Sequence, residues 1–131
     1  MIVLDASAMI ELLLDTAAGR KIAMRIDDPS IGVHAPHLVD VEVIQVLRRL
    51  TRDRTIESDE AEAALDDLRA LDLQRHAHEA LLDRAWALRE NLSAYDAVYV
   101  ALAEALDAPL LTCDKRLSRA SATHGRVELV S

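Results

Sequence analysis

Aromatic residues are nearly missing from this chain, which holds Trp86, Tyr95 and Tyr99 and no Phe. Modules that read nucleic acids by stacking bases on aromatic platforms need more than this. Any contact with RNA or DNA should therefore run mainly through the phosphate backbone. Glycine is scarce too: Gly19, Gly32 and Gly125 cannot compose a phosphate-cradling loop or a dinucleotide fingerprint. The single cysteine, Cys113, excludes an internal disulfide and agrees with a reducing compartment. No apolar run is long enough to span a bilayer, and the opening Met1-Ile2-Val3-Leu4-Asp5 lacks a basic region and a cleavage site. The expected setting is the cytoplasm, with no membrane partner.

What is present fits one domain, residues 1–131, with a real core, since 51% of the chain is hydrophobic. The net charge of −8 argues against a general nucleic-acid binder, because phosphate contacts need Lys and Arg. The charge is uneven, however. Arg48, Arg49, Arg52 and Arg54 cluster in one segment, and Lys115, Arg116 and Arg119 follow Asp114. Two basic patches on an acidic body can hold a polyanion locally; the alternative is that both are solvated helix faces. The histidines His34, His37, His76, His78 and His124 show no zinc spacing. Cys113 has no evident His partner in sequence to make it a nucleophile.

Ile2 to Asp5 reads as a short buried strand, with Ser7 as the N-cap of a helix through Leu14. Further helices are expected from about Gly19 to Ile26, Leu38 to Arg52, Ser58 to Ala70, His78 to Glu90, Ser93 to Leu106 and Asp114 to Ala120. Strands are expected at Ile31–Ala35, Leu71–His76, Leu110–Thr112 and Val127–Val130. Trp86, among Ala85, Ala87 and Leu88, reads as core. Strands that alternate with helices predict an α/β fold with a parallel sheet covered on both faces.

Four acids sit where a carboxylate is awkward. Asp5 closes one apolar run, Asp114 follows another, and Glu42 and Asp96 lie within apolar helical stretches. Burying several ionised carboxylates together is costly, so acids gathered in one pocket need a cation, and that need points to a divalent metal and phosphodiester hydrolysis. Asp5 and Asp114 both follow strands, the end at which open parallel sheets bind ligands. Each acid also has a local reading. Asp5 and Asp114 could cap helices. Ser93 and Asp96 have capping-box spacing. Glu42 could pair with Arg49 two turns on. Glu42 and Asp40 border opposite sides of the stripe Val39, Val43, Val46, Leu47 and Leu50, and periodicity does not choose between them. Val41 and Ile44 lie off that stripe, so this helix is apolar nearly all round, as in a buried helix or a subunit contact.

Taken together, Met1-Ile2-Val3-Leu4-Asp5-Ala6-Ser7-Ala8, Pro36-His37-Leu38-Val39-Asp40-Val41-Glu42-Val43, Ser93-Ala94-Tyr95-Asp96-Ala97-Val98-Tyr99-Val100-Ala101-Leu102-Ala103 and Leu110-Leu111-Thr112-Cys113-Asp114-Lys115-Arg116-Leu117 resemble the PIN-domain ribonucleases. The resemblance is nearest to the VapC-type toxins of bacterial toxin–antitoxin pairs. It runs almost end to end, and the last two motifs are the more specific. It selects Glu42 over Asp40. It implies a PIN-like three-layer α/β/α sandwich with a central, mostly parallel sheet, dependence on Mg²⁺ (or Mn²⁺), homodimerisation and a VapB-like antitoxin that places an arginine in the acidic pocket.

The expected activity is a metal-dependent endoribonuclease, the toxin of a type II toxin–antitoxin system. Asp5 and Asp96 are the expected direct metal ligands, with Asp114 and Glu42 acting directly or through water. Ser7, Ser93 and Thr112 are candidates to orient those ligands, and Lys115, Arg116 and Arg119 to hold the RNA backbone. Met9, Leu13 and Met24 are candidates for a groove that takes an antitoxin helix. Two rivals stand beside this reading: a phosphoacceptor domain that uses Asp5, and a catalytically silent PIN-fold interaction module.

Overall fold

Each end of the central strand β1 (Ile2–Leu4) meets a neighbour through main-chain bonds: Ile2 N donates to Gly32 O at 2.9 Å and Asp5 N to Leu111 O at 3.2 Å. The computed structural model describes residues 1–120 and 123–131. Five strands form one sheet in the order β3-β2-β1-β4-β5, and every pairing is parallel. The others are β2 (Val33–Pro36), β3 (Leu73–His76), β4 (Leu110–Thr112) and β5 (Val127–Leu129). β1, β2 and β4 are buried at every position, as expected of central strands covered on both faces. The edge strands β3 and β5 carry exposed residues.

The helices are α1 (Ala6–Leu13), α2 (Ala17–Ile26), α3 (Leu38–Arg52), α4 (Ser58–Ala70), α5 (Leu82–Ala87), α6 (Ala94–Leu106) and α7 (Lys115–Ser118), with a 3₁₀ turn over Glu79–Leu81. Together with the sheet they make the α/β/α sandwich. α6 is its most buried helix, with every residue from Ala97 to Ala103 inside. α1 and α2 pack as a tight hairpin. An added Cβ on Gly19 would lie 1.9 Å from Glu11 O, so no larger residue fits this approach without moving a helix.

Three expectations are corrected. The helix expected over 78–90 is broken, because the 3₁₀ turn and six-residue α5 replace it. Trp86 is not core: it is 68% exposed, with the Arg89 guanidinium 4.4 Å above its ring. Leu81, Leu88 and Leu92 fill the interior there instead. Glu57, not Ser58, caps α4, through a capping box with Glu60.

The order of strands also locates a functional crevice. The chain proceeds from β1 outward through β2 to β3, then returns to the other side of β1 for β4 and β5. The direction reverses between β1 and β4. In open α/β sheets the crevice beyond the carboxyl ends of the strands at such a reversal is where ligands bind. Asp5 follows β1 and Asp114 lies just beyond β4.

Candidate active site

At this crevice a pocket of about 340 Å³ is lined by Asp5, Ser7, Glu42, Val46, Ser93, Tyr95, Asp96, Tyr99, Asp114 and Arg116, together with Ala6. Four carboxylates, distant in sequence, share its wall. They are brought there by β1, α3, the first turn of α6 and the β4–α7 junction.

Asp5 is the most enclosed, at 6% exposure. Its Oδ1 accepts from Ser7 Oγ at 2.7 Å and from Ala8 N at 2.9 Å, while Oδ2 accepts from Thr112 Oγ1. An ionised carboxylate has about four acceptor sites, so roughly one, on Oδ2, is left for a ligand. Burial raises the Asp5 pKa; the three hydrogen bonds oppose this, and the charge of Asp96 adds to it. The bond to Ala8 N makes Asp5 the N-cap of α1, the place expected for Ser7. Ser7 instead braces the site: its hydroxyl donates to Asp5, accepts from Cys113 N at 2.9 Å and lies 3.2 Å from Thr112 Oγ1. Thr112 Oγ1 also accepts from Asp114 N at 3.0 Å. Ser7 and Thr112 thus tie the ends of β1 and β4 into one network.

Glu42 is half-buried on α3, and its Oε1 accepts from Tyr99 Oη at 2.7 Å. Its pKa is raised by burial, with the Tyr99 bond opposing. Tyr99 is 2% exposed, and burial followed by its bond to Glu42 pushes its own pKa far up, so it stays a donor. Sequence reasoning did not single out Tyr99. Its spacing of three residues from Asp96 on α6 was the available signal, since i and i+3 share a helix face. Asp40 turns elsewhere and forms a forked pair with Arg75 at 2.8 and 2.9 Å. The alternative pairing of Glu42 with Arg49 is not formed.

Ser93 caps α6 by accepting from Asp96 N at 3.2 Å. The Asp96 carboxylate does not complete a capping box; it faces Arg116, whose Nη2 lies 2.8 Å from Asp96 Oδ2 and 3.1 Å from Asp114 Oδ2. Asp114 in turn caps α7 through Arg116 N at 2.8 Å and Leu117 N at 3.4 Å. Arg116 therefore lies inside the acid pocket as a cation supplied by the chain itself. Lys115 and Arg119 are exposed and outside the pocket wall.

The donor set is all hard oxygen, which suits Mg²⁺ or Mn²⁺ over softer ions. Among the described residues, no group of three or more His, Cys, Asp or Glu is placed to hold a metal ion. The four carboxylates stand apart around the pocket wall, so an ion there would take few protein oxygens and keep several waters, as Mg²⁺ does. Cys113 is unsuited to nucleophilic chemistry, because burial pushes its thiol up to about 11. Of the residues considered for an antitoxin groove, Met9 is fully buried. Met24 is 80% exposed and lines a cleft with Lys21, Arg25 and the β5 end of the chain.

The PIN domain family matches residues 2–122. The chain belongs to this family. It is 43% identical over 118 residues to the VapC ribonuclease Mb0985 of Mycobacterium bovis, covering 90% of this chain and 89% of that one. It is 40% identical to ribonuclease VapC12 of Mycobacterium tuberculosis over 131 residues, the whole of both chains. Among solved structures, PAE2754 from Pyrobaculum aerophilum superposes with a TM-score of 0.70 at 22% identity, covering 96% of this chain and 81% of that one. A toxin–antitoxin complex from Klebsiella pneumoniae gives 0.63 at 14% identity, covering 98% and 96%. No described helix of this PIN domain is long and apolar enough to cross a membrane.

Proposed function

We propose that this PIN domain is a Mg²⁺-dependent endoribonuclease (Mn²⁺ as the alternative ion), the toxin of a type II toxin–antitoxin pair, acting in the cytoplasm as a homodimer restrained by a VapB-like antitoxin. The observation that carries the reading is the gathering of Asp5, Glu42, Asp96 and Asp114 around one pocket at the reversal of the sheet. The ribonuclease names of relatives that match nearly end to end support it. The toxin–antitoxin neighbour and those names support the antitoxin partner.

Asp5 and Asp96 would hold the ion directly, with Asp114 acting directly or through water. When bound, such an ion supplies Lewis acidity at the scissile phosphate. Glu42 orients the attacking water and takes its proton on Oε2, the oxygen that Tyr99 leaves free. A raised carboxyl pKa suits that task, because a base works best when its pKa approaches the operating pH. The water oxygen bonds to phosphorus, the ester P–O bond breaks, and the departing oxygen takes a proton from solvent, while Glu42 returns its own proton to solvent. Ser7 and Thr112 fix the Asp5 carboxylate. Arg116 is exposed and its ion pairs are of the kind that solvent weakens, so it can leave the carboxylates for a substrate phosphate.

The test is cleavage of RNA by the purified chain with Mg²⁺, with EDTA, and by Asp96→Asn, together with mapping of new RNA ends in cells that express the chain with and without its genomic neighbour. Loss of cleavage in EDTA and in the variant is expected. Cleavage unchanged by Asp96→Asn removes the site from the reaction.

A further inference from the structure

α3 carries a second charged feature that the acid pocket does not use. Gln45, Arg48, Arg49, Arg52 and Asp53 line a cleft of about 300 Å³. The three guanidinium groups are exposed, and none forms a hydrogen bond or ion pair among the described residues. This is against the grain of a chain with net charge −8. It is also against the local surroundings. α4, which packs on α3, carries Asp59, Glu60, Glu62, Asp66 and Asp67, yet Asp66 pairs with Arg69 and none of these acids reaches the α3 arginines. Asp53 lines the cleft and feels the charge of Arg49, but its Oδ1 is bonded to Thr55 through Oγ1 at 2.7 Å and N at 3.3 Å, and among the described residues it forms no ion pair with the α3 arginines.

A helix dipole favours cations in the last turn, which accounts for charge at Arg49 and Arg52. It does not account for three unpaired guanidinium groups around one cleft. The cleft adjoins the acid pocket along the same helix. Val46 lines the pocket and Arg49, three residues on, lines the cleft. At 1.5 Å per residue, Arg49 lies about 10 Å and Arg52 about 15 Å beyond Glu42 along the axis.

We propose that Arg48, Arg49 and Arg52 form a phosphate-binding track on α3 that holds the RNA backbone a few nucleotides from the bond being cut. The proposal rests on the ribonuclease reading and extends the substrate contact beyond Arg116 to a longer stretch of polyanion on an acidic protein. With so few aromatic residues in the chain, backbone contact is the mode open to it, and arginine's fork suits phosphate oxygens. The track adds affinity without base preference.

The test uses the full chain carrying Asp96→Asn, which prevents turnover, and a short fluorescein-labelled single-stranded oligoribonucleotide of mixed sequence. Binding is followed by anisotropy across a salt series, with and without Arg48→Gln/Arg49→Gln/Arg52→Gln. A charge-matched control carries Arg20→Gln/Lys21→Gln/Arg25→Gln on α2. Each lost contact to a single strand lowers the slope of log K against log[salt] by about 0.7, so the α3 triple variant should lose about 2. On an otherwise wild-type chain, the α3 substitutions should raise KM for cleavage and leave kcat in place, the mark of lost uniform binding. An unchanged slope, or an equal drop in the α2 control, overturns the track while RNA cleavage by the wild type leaves the ribonuclease reading standing. A triple variant that sediments as a monomer where its parent is a dimer also overturns it, by showing the cleft to be a contact between copies. If the wild type cleaves no RNA, the ribonuclease reading fails and the track falls with it.

Discussion

Asp5→Asn should stabilise this protein in the absence of metal while abolishing its activity. Asp5 is 6% exposed and faces the charge of Asp96, and its pKa lies above the ordinary 3.8. For a carboxyl group whose folded pKa is raised, the native state holds its proton more tightly than the unfolded state. The favourable contribution is full below the unfolded value and is lost as pH rises through the folded one. Above its folded pKa the ionised Asp5 therefore opposes folding. Asparagine removes the charge and keeps the bonds. Its Oδ1 accepts from Ser7 and Ala8 N, and its amide donates to Thr112 Oγ1. The Thr112 proton then turns to Ser7 Oγ, 3.2 Å away. Relief of this kind at functional sites is worth about 0.5–2 kcal/mol, or about 2–8 °C in Tm at roughly 4 °C per kcal/mol. Saturating Mg²⁺ should reverse the order. At a hundredfold excess over Kd an ion adds about 2.7 kcal/mol to a protein that binds it only when folded, and the variant gains little. Thermal melts of both proteins in EDTA and in Mg²⁺ read all four values. A variant that melts below the wild type in EDTA, or that gains as much from Mg²⁺, refutes the account of Asp5 as a strained ligand.

Tyr99→Phe removes the bond that lowers the Glu42 pKa, so Glu42 protonates at higher pH and the acid limb of kcat/KM should move up. A hydrogen bond to a charged group is worth about 1.5–3 kcal/mol. Water replaces part of that bond at half-buried Glu42, so the move should be upward but smaller than the full bond implies; an unmoved limb shows that Glu42 is not the base. Arg116→Gln should tighten Mn²⁺ binding by calorimetry and weaken RNA binding, because the guanidinium that bridges Asp96 and Asp114 no longer competes with the ion. Unchanged Mn²⁺ affinity would remove Arg116 from the metal's surroundings. Gly19→Ala gains helix propensity yet should cost about 1–3 kcal/mol in urea unfolding, since its Cβ meets the α1 backbone at 1.9 Å; a more stable variant contradicts the close α1–α2 approach.

The strand ends, and with them Asp5 and Asp114, were legible because an apolar run followed by an acid has one natural place in a parallel sheet. The choice between Glu42 and Asp40 was not legible from periodicity. It depends on Tyr99 and Arg75, which lie 57 and 35 residues away and become neighbours only in the fold. Trp86 misled for a related reason. Alanines and leucines around it suggest burial, but α5 is one short helix with no buried residue of its own; the flanking Leu81 and Leu88 fill the interior, leaving Trp86 to Arg89. The start of α3 was equally hidden. His37 makes no side-chain cap there, and His78 accepts from Leu38 N at 3.0 Å across 40 residues. Segments that depend on such distant partners leave no periodic trace in the chain.

Local capping and a shared acid pocket look like competing explanations of the same carboxylates, yet the geometry shows them to be one arrangement. Asp5 caps α1, Asp114 caps α7, and Asp96 stands in the first turn of α6. Helix N-termini carry partial positive charge and unpaired N–H groups, and those of α1, α6 and α7 meet beside the pocket that these acids line. A chain that must keep several acids together before any cation arrives needs that help, and Arg116 adds the remaining charge on the Asp96–Asp114 side. The Glu42 wall has no such helix end and relies on Tyr99 instead. Burial is the leading influence on Asp5 and on Glu42, and it raises the pKa of each despite the hydrogen bonds they accept. A cation entering the pocket would offset that burial cost where Asp5 and Glu42 stand.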